Sequence, residues 1–405
     1  MDLLPYTRES LSTKTGQLQL LSVGSDSRPY PLIDGARASR RERILKAGAG
    51  GRAARRASPR LGPVTLFLIA GMAAAGLGVA AAVADPLGTA SGTVTDCAPG
   101  GLPGTCYEVE VSCPLEGIND QPVTIKVTEP SVAPVGTVIL TIGGGGNGYY
   151  DQRFVYGQEV VRQVLQAGLA TVQTDFSGGQ VGWLTGPGGP RKLACRYATL
   201  AQWIYDNIHE GGAARPYCAT GNSGGAGAIA YALAHYELGS IFAMVEPTSG
   251  PPFGRIDYGC VCSPPRKRAV SCPSPRSISE CYGISTAEDF IDPSYDGDVD
   301  RPDSIDGQDI CGQDILTRGS ANADLFQQDS VASPDALFSY PQTDVHVVFG
   351  GLDNSAAVPQ GLEWIDLITS KKSVECVADA PHEIPDVEDG AMRIASDLIT
   401  YCRLQ

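Results

Sequence analysis

From residue 107 onward, apolar and polar positions follow a regular series. Residues 107–112 (YEVEVS) and 123–127 (VTIKV) alternate at period two and predict strands. Residues 137–142 (TVILTI) form a continuous, mostly apolar and β-branched run, as expected of a strand covered on both faces. That run leads straight into four glycines, 143–146. Residues 158–167 read as a helix, 169–173 as a strand, and 197–208 as a helix with apolar positions at 200, 201, 204 and 208. A strand over 216–221, a helix over 224–238 and a strand over 241–246 follow. The rhythm breaks between 248 and 341, a stretch rich in Pro, Ser, Asp and Cys, which predicts an insertion forming a cap. Regularity returns with strands at 345–349 and 373–378 and helices at 360–369 and 387–401. Alternating strands and helices predict an α/β fold, a mostly parallel eight-stranded sheet flanked by helices, with the two leading strands as an antiparallel edge. Residues 85–106, rich in Gly and Pro, read as a linker.

The front of the chain is of another kind. Residues 1–60 carry twelve Lys/Arg against five Asp/Glu, and their Gly/Ala/Ser/Arg composition predicts a disordered basic flank. Residues 64–84 are 21 uncharged, mostly apolar positions, long enough to span a bilayer as a helix. Basic groups resist translocation, so the tail is expected inside and the rest outside. Ala82-Val83-Ala84 resembles a signal-peptidase site, so 61–84 reads either as a single-pass anchor or as a cleaved signal, with a buried core helix as the third reading. After residue 84 there are 18 basic and 40 acidic groups. That surplus excludes a nucleic-acid partner, because a polyanion would be repelled without counterion release. All twelve cysteines also lie after this segment, which fits disulfides in an oxidising compartment. Some of Cys260, Cys262, Cys272, Cys281 and Cys311 are expected to staple the insertion. Zinc is the competing use of Cys260-Val261-Cys262, but there is no CxxC pair and no histidine nearby. Asp296, Asp298 and Asp300 have the spacing of a calcium loop, but Arg301 replaces the turn glycine, so a solvated acidic loop is expected. No metal and no cofactor are predicted.

One motif carries chemistry. Gly221-Asn222-Ser223-Gly224-Gly225 fits G-x-S-x-G between a strand and a helix, where a serine can sit on a tight turn with its hydroxyl exposed. Glycine makes up 49 of 405 residues, so the pattern arises easily by chance and its context decides. Here the chain, over about 107–402, resembles the α/β-hydrolase superfamily, whose order places an oxyanion loop after the third strand, a nucleophile after the fifth, an acid after the seventh and a histidine after the eighth. In this sequence those places hold the glycines 143–146, Ser223, Asp353 and His382.

The resemblance implies a serine hydrolase. His382 would act as base for Ser223, and Asp353 would orient the imidazole, with Glu246 as the rival carboxylate. The amides of Gly224 and of Gly145 or Gly144 would form the oxyanion hole. Asn147, Tyr149 and Asn222 are candidate substrate contacts, the tyrosine equally a packing residue. His209 and His235 fall in predicted helices and His346 inside a strand, which suits packing. The glycine run does not complete a phosphate-binding motif, since no Lys-Ser/Thr follows and Tyr149 stands where a third glycine would be needed. Feruloyl-esterase and tannase-like members place a cysteine where Asn222 stands, so no subfamily is assigned. The expected function is hydrolysis of a small or polymeric carboxylic ester outside the cytoplasm. A secreted serine peptidase and a catalytically dead hydrolase-fold binding module are the alternatives.

Overall fold

The computed structural model describes residues 83–403, apart from 177–181, 261–265, 283–285, 287–289, 297–309 and 318–320. The basic tail and all but the last two residues of the 61–84 segment lie outside the described residues, as do Cys262 and the 297–300 part of the acidic loop. Among the described residues, no helix is long and apolar enough to cross a membrane.

The sheet has nine strands rather than eight. They are β1 (Thr89–Thr95), β2 (Thr105–Ser112), β3 (Gln121–Thr128), β4 (Gly136–Thr141), β5 (Leu169–Asp175), β6 (Tyr217–Asn222), β7 (Met244–Thr248), β10 (Asp344–Gly350) and β11 (Lys372–Val377), with β8 (Lys267–Ser271) and β9 (Pro275–Ser279) as a separate hairpin. The order across the sheet is β1-β2-β3-β5-β4-β6-β7-β10-β11. The pairs β1–β2, β2–β3 and β3–β5 are antiparallel, and every pair from β5 to β11 is parallel. The extra strand lies in the stretch that reads as a linker. It pairs with β2 from Thr89↔Ser112 to Thr95↔Cys106, and the Cys97–Cys106 disulfide closes the hairpin.

Two faces follow from alternation along the parallel strands. On one side Val138, Leu140, Met244 and Val348 pack with Val160, Val161 and Val164 of α1 (Gly157–Gln166) and Ile394, Ala395 and Leu398 of α5 (Glu388–Tyr401). On the other, Ile139, Val245, Val345 and Val347 meet α2 (Cys195–Asn207), α3 (Gly224–Tyr236) and α4 (Ala357–Leu367). Each such aliphatic side chain contributes about 1.5–3 kcal/mol when fully buried. Helix α3 is buried on all sides, as its largely small and apolar sequence permits.

The insertion between β7 and β10 is tied to the body of the domain as well as to itself. Val270, Ile278, Ile291, Phe326 and Val331 join the α2/α3/α4 core. Cys260–Cys311 is internal to the insertion, whereas Cys272 pairs with Cys376 on β11. Arg276 of β9 donates to the carbonyls of Gly350 and Gly351 at 3.0 and 2.6 Å, at the end of β10. Cys113–Cys195 joins β2 to α2, and Cys218–Cys402 joins β6 to α5. Among the described residues no cysteine is free and no His/Cys/Asp/Glu group is arranged to hold a metal.

Candidate active site

Parallel α/β sheets place their functional loops beyond the carboxyl ends of the strands. Here those ends carry the glycine turn after β4, Ser223 after β6, Asp353 after β10 and His382 after β11. The turn at Ser223 is strained: its φ is 52° and ψ −112°, outside the left-handed well that a non-glycine residue tolerates best. Close packing of the flanking elements holds it there. A Cβ at Gly221 would lie 2.7 Å from the Gly225 carbonyl carbon, and one at Gly224 only 1.8 Å from the Gly144 oxygen. The small residues around the serine are therefore needed for strand, helix and glycine turn to meet.

Three side chains form a hydrogen-bonded line. His382 Nε2 is 2.8 Å from Ser223 Oγ, and His382 Nδ1 is 2.8 Å from Asp353 Oδ2. With its proton on Nδ1, the imidazole donates to the carboxylate and leaves Nε2 to accept from the hydroxyl. Burial pulls the imidazole down, but the Asp353 hydrogen bond and charge, with Glu383 adding to them, outweigh it and hold the group above its ordinary value of 6.5. Burial raises the Asp353 carboxyl, yet His382 and the Ser355 amide keep it below the usual carboxylate range.

Ser355 does not stand out in the sequence. Its amide donates to Asp353 Oδ1 at 2.8 Å, and its hydroxyl lies 3.3 Å from His382 Nδ1. An aspartate bonding the amide two residues on is a common turn, so Asp353-Asn354-Ser355 carried the signal.

The rival carboxylate is placed elsewhere. Glu246 is fully buried, and burial, with Asp397 of α5 adding to it, pushes its carboxyl well above the ordinary value. The other histidines are also engaged away from Ser223. His209 contacts Thr137 and the Gly212 carbonyl, His235 the Ser330 carbonyl, and His346 the Ser373 hydroxyl.

The glycine turn is built by its neighbours. Gly146 N–H donates to Gly143 O at 3.1 Å, Trp183 N–H to Gly145 O at 2.9 Å, and Gly148 N–H to Asp175 Oδ1 at 2.7 Å. Among the described residues, the amides of Gly144 and Gly145 meet no backbone carbonyl. The Gly224 amide opens α3, where no preceding helical turn supplies an acceptor.

A cleft of about 980 Å³ opens over these groups, lined by Gly143, Gly144, Gly145, Asn147, Ser223, Gly224 and His382 among others. Asn147 and Asn222 therefore reach it, and Tyr149 does not. Tyr149 is 1% exposed, with its hydroxyl 3.7 Å from Cys106 Sγ and Lys126 Nζ 4.6 Å from its ring centre. Desolvation pushes that phenol up to about 12, so it is a packing residue. Asn222 is also 1% exposed, and its Oδ1 accepts from Thr248 Oγ1 at 2.8 Å and from the Ile384 amide at 3.4 Å. It ties the serine turn to the loop that carries His382.

No family model matches this chain, and no curated protein is similar to it. Solved structures of similar fold include a thermostable carboxyl esterase from Bacillus coagulans (12% identity, 73% of this chain and 97% of that one, TM-score 0.41). Acetyl xylan esterase 1 from Thermoanaerobacterium sp. is 14% identical over 77% of this chain and 88% of its own, at a TM-score of 0.42. Alpha/beta hydrolase domain-containing protein 10 from mouse is 13% identical over 70% and 96%, at 0.40. At such values these likenesses carry no weight beside the geometry. With its strand order, its strained serine turn between β6 and α3, and its loops after β4, β10 and β11, the chain has the α/β-hydrolase fold.

Proposed function

We propose that this chain is a serine hydrolase of carboxylic esters that works outside the cytoplasm. The observation that carries the reading is the Ser223–His382–Asp353 line, with two contacts of 2.8 Å at the mouth of an open cleft. A serine hydroxyl is a weak nucleophile, so Nε2 of His382 takes its proton as Oγ bonds to the acyl carbon. The carbonyl oxygen becomes an anion and is received by the Gly224 amide and a second amide from Gly144 or Gly145, each worth about 3 kcal/mol in the transition state. When the tetrahedral species collapses, the C–O bond to the alcohol breaks and Nε2 hands its proton to the leaving oxygen. Water then attacks the acyl-enzyme, gives its proton to Nε2 and releases the acid, and the proton returns to Oγ. The disulfides suit an oxidising compartment, and export directed by residues 61–84 belongs to the same proposal.

A fluorophosphonate probe tests the chemistry. Wild-type protein should be labelled on Ser223 and Ser223→Ala should not, with ester hydrolysis lost in parallel. No adduct would support a binding module instead, and an adduct unaffected by the substitution would remove Ser223 as the nucleophile. Turnover of peptide amides but not esters would favour the peptidase. Asn222 acts at one remove, so Asn222→Ala should lower kcat by about 10²-fold through misplacement of His382, with KM little changed. A rise in KM at constant kcat would make Asn222 a substrate contact after all.

A further inference from the structure

The cleft lining combines polar and apolar surfaces, and their placement bears on which ester it takes. Beside His382 the lining is largely polar: Glu383 adjoins it in the chain, and Asn354 and Ser355, with Ala356 and Ala357 after them, follow Asp353. Beside the glycine turn, where Asn147 and Arg153 supply polar groups, the cleft also presents an apolar surface. A Cβ at Gly144 would lie 3.6 Å from Phe290 Cε1, so this insertion phenyl ring lies over the turn. Leu184, fully buried, ends the short helical turn Gly182–Leu184, which is bonded to the same glycines through Trp183 N–H and Gly145 O. Phe253 and Tyr282, with ring centres 6.0 Å apart, extend the apolar lining.

Reaction geometry relates these two surfaces to the two halves of an ester. The leaving oxygen must face His382 Nε2, which protonates it, and so the alcohol belongs at the polar surface. The carbonyl oxygen must enter the glycine turn, which brings the acyl substituent beside Phe290 and Leu184. Resting on the ester-hydrolase reading above, we propose that the substrates are esters of bulky apolar carboxylic acids, aryl-bearing acids included, with Phe290 and Leu184 as the acyl-binding wall. An acetyl group would leave Phe290, the partly exposed member of that wall, in contact with water. A larger acyl group displaces the water, gaining about fourfold for each methylene buried.

Two series of esters made with the full chain separate the possibilities. In the first, 4-nitrophenyl acetate, hexanoate, benzoate and 3-phenylpropanoate share one leaving group. In the second, the acyl group is held at hexanoate while the alcohol varies from methyl to benzyl. The best bulky acyl ester should exceed acetate in kcat/KM by about 100-fold, and the alcohol series should span less. Phe290→Ala should reduce the bulky-to-acetyl ratio about tenfold, with an unchanged melting temperature showing that the variant is folded. Phe290→Leu should fall between. Acetate turned over as well as the bulky esters, a steeper dependence on the alcohol, or a ratio unmoved by Phe290→Ala would each overturn the acyl assignment while leaving the hydrolase reading intact. Failure to cleave any ester in either series, without labelling of Ser223, would instead remove the hydrolase reading itself.

Discussion

Replacement of Asp353 by asparagine is expected to lower kcat by about 10⁴-fold while leaving the fold intact. The two side chains have nearly the same volume, and Asp353 is 3% exposed, so packing around it should hardly change. Its electronic role would not survive. A carboxylate can only accept at His382 Nδ1, which fixes the proton there and leaves Nε2 free to take the one from Ser223. An amide presents an N–H as easily as an oxygen, and when it donates to Nδ1 the ring carries its proton on Nε2, facing the serine. That tautomer cannot act as base.

The same substitution has a signature in pH. The imidazole must be neutral to accept the serine proton, so wild-type kcat/KM should rise with pH through a titration above 6.5. Burial opposes the charged ring and Asp353 supports it, so removing the carboxylate should move this limb to lower pH. The pH profiles of wild type and Asp353→Asn, with labelling as a second readout, check both parts. A variant within tenfold of wild type, or an unmoved limb, would show that another group orients His382.

Much of this arrangement was legible because each feature depends on chain order. The glycine run, Ser223, Asp353 and His382 each follow a strand that its apolar run reveals, and strand order then brings the loops together. What escaped depends on contacts that order does not encode. Strand β1 shows no apolar alternation because its half-buried positions include Ala90 and Gly92. A Cβ at Gly92 would lie 2.7 Å from the Trp203 ring of α2, so a distant indole occupies the space that a side chain would fill. Cys272 lies in the irregular insertion, and its pairing with Cys376 depends on where the β8–β9 hairpin docks. Asn222 reads as a pocket residue from its place beside the serine. Its tethering role becomes visible only when the Ile384 amide is seen to approach it.

The largest effect on stability is expected at Asp151, which nothing in the sequence pattern marks. Lys126 lies on the face of β3 opposite Val123, Ile125 and Val127, and its ammonium donates to both Asp151 oxygens at 2.8 Å, the two side chains being 1% and 0% exposed. Asp151 Oδ2 also accepts from the Leu102 amide at 2.6 Å, and its own amide donates to Gln173 Oε1 at 2.8 Å. The group thus joins the β1–β2 connection, β3 and β5. Asp151→Ala leaves a dry ammonium and an amide without their acceptor, at a cost of about 3–5 kcal/mol. In a domain of this size that corresponds to a fall in Tm of roughly 4–8 °C. Lys126→Met combined with Asp151→Leu removes both charges and should recover part of the loss. Recovery stays incomplete, because the Leu102 amide is still buried without a partner. Urea denaturation of the two variants reads both steps, and a loss below about 1 kcal/mol for Asp151→Ala would mean that water reaches the pair.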